Sequence, residues 1–459
     1  MPGSRADRLP PQIRFIAWNE AAERFSYYGM SSILTLHMVN RLGLPPAVAE
    51  RNFHLFGFAV YLTPLFGAWI ADRFWGRYRT ILWLSFGYVA GHATIALWES
   101  AAGLYTGMAL IALGAGGIKP CASAFAGDQI PAGNDRLVGR VYDLYYWMIN
   151  LGSLASTFAI PLLNQYAGPR IAFGVPGVAM AFALLVFWSG RRAYVFAAPT
   201  DPGSSGFFRV VGSALAALPR RRAGAHWLDG AAGGQPAEAV AGVKAVLRIA
   251  GVFAAVAVFW ALFFQYASSW TVQAEQLRRD LFGWTMPPEW PQNLDAGLVL
   301  ALIPAFAFAV YPAVERAGVR VTPLRKMAAG MFVMTLSFVA AAALEAALRS
   351  GLRPHVGWQV PQYLFLAVGE VLVSVTALEF AYGQAPRRMK SVVMALWYLT
   401  ISAGQLLTAV VAGLNRFHGV AYFAFFAALM LAAAVAFALV AWRYRPVELA
   451  EAAAPAAAG

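Results

Sequence analysis

Charge is what this sequence has least of. Only 12% of its 459 residues are Asp, Glu, Lys or Arg, against roughly a quarter in a soluble domain. With 60% hydrophobic residues the chain cannot cover its own surface with polar groups, so it needs lipid as its solvent. Acidic residues are the scarcer sign, 22 against 35 basic, for a net charge of +13. That excess would suit nucleic acid only if it formed a patch on a soluble face. The basic residues lie instead between apolar stretches, as in membrane proteins, so no nucleic-acid partner is expected. One cysteine, Cys121, excludes an intrachain disulfide or a multi-cysteine metal site and reads as a small buried residue. A cleavable leader is also missing, since the first twelve residues are polar and contain proline. No repeat period of the kind that builds a buried helical solenoid is visible.

Apolar segments long enough to cross a bilayer, about 18 residues or more, run over 13–39, 51–71, 79–98, 104–126, 141–165 and 171–190. Six more follow a polar interval, at 246–274, 296–315, 324–348, 358–383, 390–414 and 418–442. The expected architecture is an all-α membrane protein with 12 transmembrane helices arranged six plus six. Its units are an N-terminal bundle at 1–190, a linker at 191–245, a C-terminal bundle at 246–442 and a low-complexity, disordered tail at 443–459. Most Lys and Arg fall in the loops and tails that share a side with both ends, which puts both termini in the cytoplasm. The linker holds Arg191, Arg192, Arg209, Arg220, Arg221 and Arg222, and its "GFFRVVGSALAALPRRR" suits an amphipathic helix on the inner leaflet.

Two motifs break the apolar pattern with charge. "NEAAERFSYYGM" sets Glu20, Glu23 and Arg24 at helical i, i+3, i+4 spacing, all on one face of the first span. Intramembrane charges are costly, so such groups normally face a wet cavity and pair with one another. "GAWIADRFWGRYRT", between spans 2 and 3, reads G-x-x-x-D-R-x-x-G-R and resembles the signature loop of the major facilitator superfamily. There Gly67 would allow close helix approach, and Asp72 beside Arg73 and Arg77 would latch the cytoplasmic gate, the alternative being a plain positive-inside loop. "YPAVERAGVRVTPLRK" is a weaker echo in the second half, as expected of halves that rock around a central site.

"EAAERFSYYGM", "GAGGIKPCASAFAGDQ", "YYWMINLGSL", "FGVPGVAMA", "FWALFFQYASSWTVQA" and "LEFAYGQAPRRMKSVVMALWYLT" occur in order between about residues 13 and 442. Together they resemble the proton-coupled oligopeptide transporter family, most closely its animal and fungal members. The resemblance implies a major facilitator fold of two pseudo-symmetric bundles and a proton-coupled symporter of di- and tripeptides working by alternating access. Glu20, Glu23 and Arg24 would join Lys119 in a balanced cluster that couples protons to helix movement, with a static ion network as the alternative. His54 matches a histidine that handles protons near the outer vestibule, or is a helix-end histidine bonded to backbone. His37 and His92 match no motif and read as packing residues. Glu370 matches the acceptor of the peptide amino terminus, and Lys119 would lie nearest the peptide carboxylate. Tyr27, Tyr28 and Tyr61 would supply hydroxyls, Asn150 would clamp the peptide backbone, and Trp260 and Trp397 would wall the side-chain pockets. Glu379 reads as structural or gating.

The sequence also departs from the family. Ser31 stands where arginine is common and Phe264 where aspartate or glutamate is common. Losing one partner of a buried pair costs about 3–5 kcal/mol, and losing both removes that penalty. An ionic outer gate is thus replaced by a neutral one. Asp295 stands in place of an asparagine and is expected to take over part of the lost carboxylate's role. Arg248 keeps a family arginine whose usual aspartate partner is Ala307 here.

Three functions compete: peptide symport, a related carrier for nitrate, an amino acid or a peptidomimetic, and a peptide sensor that moves nothing. Retention of Glu370, Asn150 and Lys119 favours the amphoteric peptide. No metal-ligand cluster, nucleophile motif or phosphate loop points to an enzyme, and no cofactor is expected besides protons as the coupling ion. The remaining expectations are a lipid bilayer, a monomer, and the plasma membrane (the inner membrane of a bacterium).

Overall fold

The computed structural model describes residues 9–131, 135–196, 204–218, 226–384 and 389–443. The tail expected at 443–459, apart from Arg443, lies outside the described residues, as do Arg220, Arg221 and Arg222. In hydrocarbon every backbone polar group must be satisfied within the segment, which leaves helices as the spanning elements.

The first half consists of α1 (Ile13–Asn40), α2 (Pro46–Ile70), α3 (Gly76–Leu97), α4 (Ala101–Asp128), α5 (Asp135–Ala167) and α6 (Pro169–Ser189). Ten stretches are long and apolar enough to cross a membrane. One of them, Pro46–Leu97 with 52 residues, would extend about 78 Å as a single helix, more than twice a hydrocarbon core of about 30 Å. It is interrupted by a π turn at Ala71–Trp75, and Gly76 has φ 71°, a conformation open to glycine, so the chain turns back into α3. α1 has spanning length but carries Glu20, Glu23 and Arg24, which keeps it out of the ten.

Between the halves, α7 (Ser204–Ala217) forms where the amphipathic helix is expected. It buries Val210 and Ala214 and exposes Phe208 and Leu215. α8 (Ala237–Phe263) begins nine residues before the span boundary read from the sequence, because Pro236 caps a run of good helix formers. The chain continues through α9 (Ser269–Gln276), α10 (Asn293–Ala305), α11 (Tyr311–Arg316), α12 (Pro323–Arg349), α13 (Val360–Glu370), α14 (Thr376–Gln384), α15 (Lys390–Leu414) and α16 (Val420–Arg443). A two-residue-per-strand hairpin, β1 (Asp280–Leu281) with β2 (Trp284–Thr285), lies between α9 and α10. It was not expected.

α10 and α11 form one span across a π turn at Phe306–Val310, and α13 and α14 another across a π turn at Val371–Val375. In the first half α1 packs on α5 and α6, and α4 on α2 and α3; in the second, α12 packs on α16 and α13, and α8 on α15. α2 also packs on α15, and α5 on α10, which joins the two halves. Gly67 makes one of these packings possible. A Cβ there would sit 1.9 Å from the Gly116 carbonyl oxygen, so α2 and α4 touch backbone to backbone.

Candidate functional site

The N-terminal half buries a compact charged cluster. Successive turns of α1 bring Arg24 between Glu20 and Glu23, with Arg24 Nε 3.1 Å from Glu20 Oε1 and an Nη 2.5 Å from Glu23 Oε2. All three are nearly out of solvent, Glu23 completely. Tyr145 of α5 donates its hydroxyl to Glu20 at 2.6 Å. Lys119 arrives from α4, its Nζ 4.4 Å from the Tyr27 ring centroid and 5.4 Å from that of Tyr61. The ammonium therefore rests on aromatic faces near the carboxylates, where an attractive cation–π contact offsets part of its desolvation. Two carboxylates and two cations balance inside one half.

The second cluster lies in the other half and has a different character. Glu370 ends α13, one residue before the π turn, and Asp295 lies in the first turn of α10. α10 buries only Asn293 and Asp295, and Ala296, Val299 and Leu300 line the cavity beside them. Asp295 and Glu370 lie close enough to interact with each other. Two carboxylates side by side repel unless a proton or a cation comes between them.

Between the clusters lies a cavity of about 240 Å³. Tyr28, Tyr61 and Asn150 line it from the first half, and Trp260, Phe264, Tyr266, Asp295 and Glu370 from the second. Tyr28 lies between the two charged groups, near Arg24 on one side and Glu370 on the other. Asn150 donates to the Tyr146 carbonyl at 2.8 Å, which leaves its amide oxygen available to a ligand. Trp260 packs edge-on against Trp397 at 5.6 Å. Its Nε1 is buried with no partner, as are Gln292 Nε2 and Asp295 Oδ1 on the same cavity wall. Buried polar atoms without partners are rare, and three on one cavity mark a place prepared for a polar ligand.

The residues proposed for gating fall at two levels. Ser31 and Phe264 are both buried, and Phe264 packs on Tyr61 at 5.6 Å and Trp260 at 5.7 Å. Around them the halves are joined by hydrogen bonds without an ion pair among the described residues, most of them toward the end away from the chain's two ends. His54 Nδ1 lies 2.5 Å from Gln405 Oε1, and its Nε2 2.9 Å from Ser268 Oγ. Thr35 donates to the Ala267 carbonyl, Ser402 to that of Phe58, and Thr157 to Asn293. Tyr422 donates to Glu50, and Asn40 to Glu275. Asp72 and Arg73 lie at the opposite end on the Ala71–Trp75 π turn, where Arg77 forms an ion pair with Asp128 and interacts with Asp72. His92 bonds Ser26, and His37 packs edge-on to Phe173. Lys326 and Glu379 pair at 3.6 Å.

Sequence reasoning missed Tyr145, Gln405, Ser268, Asn293 and Tyr266. Each is an ordinary residue of a helix or of the turn between helices, and only its partner on a distant span gives it a role. Glu50 and Asp128 did carry a signal, being charges beside apolar runs.

A profile described as the POT family matches residues 78–421, three quarters of the sequence. The chain belongs to the POT family. It is 37% identical over 391 residues to rat "Solute carrier family 15 member 2", covering 80% of this chain and 53% of the rat protein. It is also 37% identical over 355 residues to "Peptide transporter family 1" of Drosophila melanogaster, covering 73% and 48%. The chain thus spans about half the length of the curated relatives it matches. Among solved structures it superimposes on the POT family transporter PepTSo with a TM-score of 0.89 at 37% identity, covering 95% of this chain and 99% of that one. An auto-inhibited POT family peptide transporter matches with the same score and identity, covering 95% and 98%. The major facilitator fold of this transporter family is therefore the fold of this multi-pass membrane protein. No group of three or more His, Cys, Asp or Glu that could hold a metal occurs among the described residues.

Proposed function

We propose that this chain imports di- and tripeptides together with protons by alternating access. The observation that carries the reading is the cavity walled by both halves, with Asn150, Tyr28 and Tyr61 on one side and Trp260 and Glu370 on the other. A zwitterionic peptide needs an anion for its ammonium, a cation for its carboxylate, and amide partners between. Glu370 would take the ammonium, Asn150 the backbone, and Lys119 (poised over Tyr61) the carboxylate. Trp260 and Trp397 would bound the side chains with aromatic faces that tolerate size. The Glu20–Glu23–Arg24–Lys119 cluster would carry the proton, since moving a proton onto a carboxylate releases Arg24 or Lys119 to re-pair. Asp295 joins the proton-handling groups in place of the acid absent at Phe264, while His54 holds the outer ends of the halves together.

Both termini are placed in the cytoplasm, in the plasma membrane, or the inner membrane if the cell is bacterial. On that orientation the His54–Gln405 end faces outward. The working unit is a monomer in the bilayer with no cofactor besides protons. Domain limits follow the helices, with the linker between α6 and α8. Uptake of a labelled dipeptide into liposomes tests the reading, with and without an inward acid gradient. Accumulation that depends on the gradient is expected. Equilibration without accumulation would mean a uniporter, and binding without entry a sensor. Accumulation of nitrate or free amino acids but not peptide would move the substrate elsewhere in the family.

A further inference from the structure

The acidic end of the cavity is over-provided for a single ammonium. Asp295 and Glu370 line the same cavity close enough to interact, and Asp295 Oδ1 is buried with no hydrogen-bond partner. Neither carboxylate belongs to an ion pair among the described residues, where every salt bridge lies elsewhere. The groups facing the pair are hydroxyls: Tyr28 of α1, Tyr266 just after α8, Tyr363 of α13 and, across the cavity, Tyr146 of α5. Arg24 lies behind Tyr28 and Tyr61. A buried negative charge without a counter-ion is costly, and the empty pair limits that cost by retaining one proton.

We infer that Asp295 makes this end of the cavity a subsite for two positive charges, selecting peptides whose first residue carries a second amine, such as lysine or ornithine. The inference rests on the peptide reading above. With one proton between them the carboxylates carry a single negative charge, which one ammonium neutralises. A peptide with two amines neutralises the fully ionised pair. It enters by displacing the shared proton to cavity water, so the site goes from one net negative charge to none, with two ammoniums against two carboxylates. The other walls supply what remains, with Trp260 Nε1 and Gln292 Nε2 as unpaired donors for the peptide's carbonyl groups. An asparagine at 295 would leave one carboxylate and no such preference.

The test is calorimetric titration of the full chain in detergent with Ala-Ala and Lys-Ala. It is run at about pH 6, where all the amines are charged, in two buffers of different ionisation enthalpy. Lys-Ala is expected to release one proton per peptide bound and Ala-Ala none. Asp295→Asn should abolish that release and lower the Lys-Ala to Ala-Ala affinity ratio by about tenfold or more. Equal proton release by the two peptides, or a Lys-Ala to Ala-Ala affinity ratio unchanged by Asp295→Asn, overturns the inference. If the variant does not fold, the proton count on the unmodified chain decides alone. If neither peptide binds an unmodified chain that melts cooperatively, the peptide reading itself falls, and this inference with it.

Discussion

The two charged sites differ in how they are balanced. The N-terminal cluster closes on itself, with Glu20 and Glu23 meeting Arg24, Lys119 alongside, and Tyr145 capping a remaining oxygen. The C-terminal site is acid against acid, with no cation of its own among the described residues. The first site balances its charges internally, and the second has no cation beside its two acids. On the proposed reading the first trades partners when a proton arrives, and the second waits for the charge that a ligand brings.

The largest effect expected from this contrast is that of Arg24→Leu, which strands two buried carboxylates at a cost of about 3–5 kcal/mol. Thermal unfolding in detergent should show a large loss of stability along with loss of uptake. An unchanged melting profile would show that the cluster is not balanced internally. Next comes Glu370→Gln, which removes the proposed ammonium partner and should weaken peptide binding by about 2–5 kcal/mol. Its stability should stay level or rise, because a buried acid pair is relieved. Destabilisation comparable to that of Arg24→Leu would erase the distinction between the sites.

The smallest effect belongs to a third kind of carboxylate. Glu289, in the segment before α10, is buried beside Arg279 and Glu275, and burial pushes it up from an ordinary 4.5 to about 7. Below pH 4.5 the group is protonated whether folded or unfolded and contributes nothing. As pH rises the unfolded chain ionises first, so this segment loses stability between 4.5 and about 7 and levels off above. Hydrogen exchange of residues 277–289 should report a loss of up to about 3 kcal/mol across that window. Glu289→Gln should flatten it, and an equal slope in the variant would assign the pH response to another group.

The spans were legible because lipid imposes one rule on every residue of a segment, and their edges agree to within a few residues for most helices. The Glu20–Glu23–Arg24 cluster was legible too, because helical spacing fixes which side chains meet on a single element. What joins distant elements was not. Nothing near His54 in the chain announces Gln405 or Ser268, and the Asp295–Glu370 contact depends on how α10 leans against α13. The hairpin at Asp280–Thr285 escaped notice because two residues per strand give no periodicity to read. It is fastened from outside instead, by Trp284 donating to Tyr166 at 2.6 Å.

The contact at Gly67 has a consequence for movement. With the α2 backbone resting on Gly116 of α4, there is no layer of side chains between the two helices that could shear or slide. If the halves tilt as proposed, the two helices travel as one slab. Tyr61 rides on the first helix and Lys119 on the second, so the backbone positions from which the ring and the ammonium reach each other, 5.4 Å apart here, keep their spacing while the side chains remain free to re-pair.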